Sequence, residues 1–326
     1  MAPALTTELM TDAHRARLAA IADVPDAAPL ARFDDARAGA LLPQAEILLT
    51  GWGSPRIDAA LLARAPKLRA VVHAAGTVKG HVDPDVLARG VRVSSAAAAN
   101  AVPVAEFTVA AILLAGKRAF RLQRLYREVR GFRMWPREVP AIGNYGKTVG
   151  VVGASRIGRL VLERLRAFDF ALLLHDPFVS AAEAASLGAE WVEIDDLLRR
   201  SDVVSLHAPS LPATRHLIDA RRLALLRDGA VFVNTARGAL VDGDALAAEL
   251  ASGRIDAVID TTDPEILPAE SPLYDLPNVF LTPHVAGAMG AETQRLATLA
   301  IDEIERLAQG APLAHEVRLA DWERIA

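Results

Sequence analysis

The sequence predicts an α/β fold built on a doubly wound parallel sheet. Three observations carry this. Short continuous apolar runs, rich in β-branched residues, alternate with helical stretches from Lys147 to Leu281. Runs of that kind suit strands buried on both faces. Alternation over more than a hundred residues places helices on both sides of one sheet. A glycine-marked turn, residues 150–158, joins the first of these runs to the first helix.

Taken in order, the chain begins with a weaker alternation. Residues 45–50, 68–73 and 91–94 read as strands, with a helix at 57–64 between the first two. Residues 101–129 read as one long helix, apolar in front and arginine-rich behind. Its rear half carries an apolar stripe at helical spacing, which is either core or a subunit contact. The main series follows: strand 147–152, helix 156 to about 168, strand 171–175, helix 181–187 and strand 203–206. Helix 219–226, strand 230–234, helix 242–252 and strands 255–259 and 279–281 complete it. After Pro283 a last helix, 291–309, leads into a tail ending at Ala326. Proline and glycine mark junctions at 135–146 and 264–277.

Composition narrows the function. The 326 residues suffice for about two domains. Cysteine is absent, which excludes a disulfide framework, thiolate catalysis and cysteine-held metal sites. A net charge of −4 and a pI of 6.1 offer no basic surface to nucleic acid or an anionic membrane. The N-terminus lacks the apolar core of a secretory signal. No apolar run is expected to reach the roughly 18 residues of a membrane span, so the expected location is the cytoplasm.

The turn at 150–158 has the context of a dinucleotide site, between a strand and a helix. Gly153 permits the tight turn and Gly158 permits close helix–strand packing. The first helical residues, Arg156 and Ile157, offer N–H groups to a pyrophosphate. Ser155 stands where the middle glycine of G-x-G-x-x-G belongs. It is small and its hydroxyl could bond a phosphate oxygen, so binding is expected to weaken rather than vanish. Asp176, before Pro177 at the end of the second strand, is placed to accept a ribose diol. Its charge repels a 2′-phosphate, which favours NAD(H) over NADP(H).

Chemistry on a hydroxyl carbon that loses hydride needs a base, and the reverse reaction needs the same group as an acid. Histidine suits this near neutral pH, oriented by a carboxylate. Arginine suits the carboxylate of a small acid, through two parallel hydrogen bonds. Arg237, Glu265 and His284 each lie just beyond a predicted strand end, on one edge of one sheet. Each alone has a dull reading as surface charge, loop or structural histidine. Their convergence favours catalysis.

Several stretches together resemble the D-isomer-specific 2-hydroxyacid dehydrogenase family. They are residues 100–106, 146–153, Asp176 with Pro177, 207–218, 234–242 and 277–287. The resemblance implies two Rossmann-like domains: an NAD-binding domain at 99–288 and a discontinuous, flavodoxin-like substrate domain at 1–98 and 289–326, closing on it. It implies that Arg237 binds the carboxylate of a small 2-oxo or D-2-hydroxy acid. His284 would be the general acid/base and Glu265 its partner. Asp260 would sit near the nicotinamide amide. His207, Ala208, Pro209, Thr214, Thr235, Ala236 and Gly287 would line the cofactor. Backbone N–H groups around Ala74, Ala75 and Gly76 would complete the carboxylate site. Members are commonly homodimers through their NAD domains, and no metal is needed.

The chain departs from the family at Ser155, at the loop Ala74-Ala75-Gly76 followed by Thr77-Val78-Lys79, at Thr261-Thr262 and at Ile266. His73, Lys79, Trp52 and Arg56 contribute to or flank the expected substrate pocket. Lys79 and Arg56 suit a phosphate or second carboxylate, or are solvated; Trp52 and Trp135 are expected to pack in the core. The alternative function is an NAD(H)-responsive, corepressor-like binding protein. Formate or phosphite oxidation is a further possibility on the same frame.

Overall fold

The computed structural model describes residues 3–139, 142–323 and 325. Residues 1 and 326, the outer ends of the expected discontinuous domain, lie outside the described residues, as do 140 and 141 of the expected junction. The described strands are β1 (Ile47–Thr50), β2 (Ala70–His73), β3 (Arg92–Ser95), β4 (Thr148–Val152), β5 (Ala171–His175) and β6 (Glu190–Trp191). They continue with β7 (Val203–Leu206), β8 (Val231–Asn234), β9 (Asp256–Ile259), β10 (Val279–Leu281) and β11 (Glu316–Val317). Two units form, Met1–Ala101 with Ala288–Ala326 and Val102–Gly287.

The contiguous unit holds a parallel sheet in the order β10-β9-β8-β7-β4-β5-β6. Its strands are apolar on both faces, and the alternation of side chains feeds two cores. Val149, Val151, Val203, Val231 and Val233 pack with Ala105, Val109 and Ile112 on one side. Val152, Val204, Leu206 and Phe232 pack with Leu197, Leu223 and Leu246 on the other.

The helix expected at 101–129 is two helices, Ala97–Gly116 and Ala119–Val129. The break falls at Arg118, whose φ of 53° is left-handed. Its buried guanidinium donates to Asp256 at 2.8 Å and to the Gly229 carbonyl, and a continuous helix would carry it away from both. The apolar stripe of the second helix divides in two: Phe120 stacks on Phe280 at 4.0 Å, while Tyr126 remains 60% exposed. Trp135 packs edge-on against Tyr126 rather than in the core. The expectation of no membrane-length apolar run also fails. Ala97–Gly116, at 20 residues, is long and apolar enough to cross a bilayer by length and composition. In the fold, its Ala105, Val109, Ile112 and Ala115 join the core on one face of the sheet.

The segmented unit holds the order β1-β2-β3-β11. The first three strands are parallel, and β11 adds an antiparallel edge absent from the sequence reading. Helix Thr293–Ala308 lays Leu296, Ala297, Ile301 and Ile304 against Ala70 and Val72, with Trp52 beside them. Its buried Glu303 accepts the N–H groups of Ala314 and His315, which turns the chain toward β11.

Two histidines are buried without charge. Burial lowers His73 and His207 from an ordinary value of 6.5 to about 3, and His81 adds to the effect at His73. Both are neutral when folded and protonate readily once unfolded. Their contribution to stability is therefore complete above about pH 6.5 and is lost as pH falls toward 3, by up to about 1.4 kcal/mol per pH unit for each. Urea midpoints of the wild type and His207→Gln between pH 7 and 4.5 test this. A shallower acid decline is expected in the variant, and an equal decline would contradict the assignment.

Candidate active site

The strand order of the larger sheet reverses between β4 and β7, and ligands of such sheets settle beyond the carboxyl ends at the reversal. Gly153, directly after β4, has a φ of 100°, and a Cβ there would come within 2.5 Å of the Ala208 nitrogen. Only glycine lets the two strand ends approach so closely. A Cβ on Gly158 would collide with the Gly153 carbonyl oxygen, so helix Arg156–Leu165 starts tight against the turn. Ser155 is the N-cap of that helix, its Oγ accepting the Gly158 N–H at 3.3 Å. The hydroxyl proton stays available as a donor. The N–H groups of Arg156 and Ile157 lie in the first turn, where a helix has no carbonyl for them, and they suit an anion.

Asp176 anchors this turn. Its Oδ2 accepts the Ala154 N–H at 2.7 Å and its Oδ1 the Phe178 N–H at 2.8 Å. Each oxygen retains a further acceptor position for a hydroxyl. After β7, buried His207 pairs with Ser205 at 2.9 Å, and Thr214 Oγ1 donates to the Pro209 carbonyl at 2.6 Å to close the loop. Thr235 Oγ1 meets Thr108 Oγ1 at 2.8 Å. These residues fit a dinucleotide: a glycine turn, a helix N-terminus and a carboxylate stand together at the reversal.

The three expected catalytic side chains follow β8, β9 and β10. The loop after β8 is held by Asn234, whose Oδ1 accepts from the Ala236 N–H and whose Nδ2 donates to the Arg237 carbonyl. Arg237 Nη1 donates to the Ala236 carbonyl at 2.6 Å. Burial pushes the Arg237 guanidinium below its ordinary value, and the Glu265 charge partly opposes this. Gly238 has no room for a Cβ because the Thr262–Asp263 peptide packs onto it, which brings the Arg237 loop against the Glu265 loop.

His284 Nδ1 stands 2.5 Å from Glu265 Oε1. Its backbone is left-handed, with a φ of 55°, and such strain in a non-glycine residue persists only where the surroundings impose it. The surroundings here are Asp260. Its carbonyl accepts the His284 N–H at 2.9 Å. Its buried carboxylate accepts from Thr282 Oγ1 at 2.6 Å, the Val285 N–H at 2.8 Å and the Ala286 N–H at 3.0 Å. Asp260 thus organises the histidine loop, a role the sequence reading did not contain. Asn234, Gly238 and Thr282 were also missed as site-builders. For Asp260 and Thr282 the available signal was a polar residue directly after an apolar strand, and for Asn234 a polar residue ending one.

In the segmented unit, Ala74, Ala75 and Gly76 follow β2. The Ala74 N–H already donates to the Thr50 carbonyl at 2.8 Å, which removes it from the expected carboxylate donors. His73 Nδ1 meets Thr50 Oγ1 at 2.9 Å, and Arg56 pairs with Asp83 at 2.6 Å.

The family description "D-isomer specific 2-hydroxyacid dehydrogenase, NAD binding domain" matches residues 109–286. The chain is 40% identical over 274 residues to a D-3-phosphoglycerate dehydrogenase of Mycobacterium bovis, covering 82% of this chain and 50% of that one. It spans about half the length of the phosphoglycerate dehydrogenases it matches. It is 36% identical to a glyoxylate reductase of Aeropyrum pernix, over 78% of each chain. The crystal structure of a phosphoglycerate oxidoreductase from Rhizobium etli superposes with a TM-score of 0.78 at 25% identity, covering 95% of this chain and 94% of that one.

Proposed function

The chain belongs to the D-isomer specific 2-hydroxyacid dehydrogenase family, and we propose that it interconverts a small D-2-hydroxy acid and its 2-oxo acid with NAD(H). The observation that carries this reading is the His284–Glu265 pair at 2.5 Å, on the strand-end edge that also bears half-buried Arg237. A protein that only bound NAD(H) would have no use for that proton-handling pair.

When bound, NADH supplies the hydride that C2 of a 2-oxo acid receives. Glu265 holds Nδ1 of His284, which leaves Nε2 to give the proton that the carbonyl oxygen takes up, and to remove it in the reverse direction. Arg237 binds the carboxylate and fixes which face of C2 is presented. The turn Gly153 to Gly158 takes the pyrophosphate. Asp176 takes the adenosine ribose, and its charge disfavours a 2′-phosphate, so NADH is preferred over NADPH.

A homodimer through the contiguous unit accompanies this reading. Tyr126, Phe132, Met134 and Tyr145 are exposed large apolar side chains of that unit, of the kind a second copy would cover.

The test is NADH and NADPH oxidation over glyoxylate, hydroxypyruvate, pyruvate, phenylpyruvate and 2-oxoglutarate, with NAD reduction by D-3-phosphoglycerate. Turnover of at least one acid is expected, faster with NADH. Tight NADH binding with no turnover of any would overturn the dehydrogenase reading, and a preference for NADPH would overturn the role of Asp176.

A further inference from the structure

The loop between β9 and β10 carries Glu265, and nothing buries that side chain: it is 58% exposed, and its partner His284 is 42% exposed. Exposed pairs are weak because two mobile side chains must be held in one geometry. A carboxylate at 2.5 Å therefore needs a backbone that already aims it. Thr262 supplies the constraint. Its Oγ1 donates to the Glu265 carbonyl at 3.0 Å and closes the turn from 262 to 265. The start of that turn is fixed where the Thr262–Asp263 peptide packs on Gly238, a position with no room for a Cβ. The hydroxyl transmits this fixed start to Glu265.

We propose that Thr262 is a positioning residue for proton transfer, acting through Glu265 on His284 by means of the Thr262 Oγ1 to Glu265 carbonyl hydrogen bond. This rests on the dehydrogenase reading for its effect on rate, but not for its effect on the pair itself. It also gives a function to one of the positions where the sequence departs from its family. A threonine there ties the loop by a hydrogen bond that an apolar residue could not make.

Thr262→Val keeps the shape and removes the hydroxyl; Thr262→Ser keeps the hydroxyl. The valine variant is expected to lower kcat about five- to tenfold, the size of one lost net hydrogen bond, with KM for the 2-oxo acid unchanged because Arg237 stays in place. The serine variant is expected to restore kcat. In a Glu265→Gln background, Thr262→Val is expected to change kcat less than about twofold, because residues acting in one network are not additive. A residue that only stabilised the fold would cost the same in both backgrounds.

The imidazole Nδ1–H proton resonance of His284, displaced downfield by its carboxylate partner, gives a readout that needs no turnover. It is expected in the wild type and Thr262→Ser and to broaden or move upfield in Thr262→Val. Should the resonance respond while no 2-oxo acid is turned over, the positioning role stands and the dehydrogenase reading falls. Should it be the same in Thr262→Val and wild type, or should the valine variant cost equally in both backgrounds, the positioning role falls.

Discussion

Arg237→Ala is expected to lower kcat/KM for the preferred 2-oxo acid by about 10²–10³-fold, the loss typical when one preorganised charged donor is removed from a reacting centre. The side chain is half-buried, held by its own Ala236 carbonyl and by a loop that Asn234 ties at two points. Little of its binding energy is therefore spent on ordering it. Arg237→Lys keeps the charge and loses the planar fork, so it is expected to recover only part of the loss. Because the side chain stabilises no core, both variants are expected to unfold at the wild-type midpoint. Steady-state kinetics on folded Arg237→Ala within tenfold of wild type would remove arginine from the assignment.

His284→Asn is expected to lower kcat by about 10²–10⁴-fold, the range for loss of a general acid/base. Asparagine is the informative replacement because it tolerates the left-handed backbone that residue 284 adopts, whereas a β-branched residue would add strain. The Asp260 carbonyl still accepts the backbone N–H, and the carboxylate still holds Thr282, Val285 and Ala286. The loop should survive while proton exchange at Nε2 is lost. NADH affinity, followed by quenching of its fluorescence, is expected to stay within about twofold, since the pyrophosphate turn lies after β4. Unchanged kcat with a normal fold would show that another group moves the proton.

The parts of this fold that were legible share one property: their signal is local. β4, β5, β7, β8, β9 and β10 are continuous apolar runs, and each was expected within two residues of its observed ends. The two-residue strands β6 and β11 are too short to show a period, and β11 exists because Glu303, buried on a distant helix, turns the chain toward β3. The break at Arg118 was invisible for the same reason, since Asp256, which explains it, lies 138 residues away. At the site, Arg237, Glu265 and His284 were identified as positions beyond strand ends, and the structure brings Glu265 and His284 into contact. What holds them there was not legible. Asn234, Asp260 and Thr262 work through bonds from side chain to backbone, and sequence spacing does not reveal which amide or carbonyl a short polar side chain will meet.

The pairing of β3 with β11 joins Ser94 to Glu316. A ribosome releasing this chain would have made the whole of Val102–Gly287 before either helix Thr293–Ala308 or β11 existed. The contiguous unit can close its sheet from neighbours in sequence. The segmented one must wait, with β1, β2 and β3 lacking the cover that Leu296, Ile301 and Ile304 will bring. Closing so long a loop is slow, and an uncovered sheet is open to wrong partners meanwhile. The order of synthesis thus lets the middle of the chain close first and leaves the unit built from two separate segments to close last.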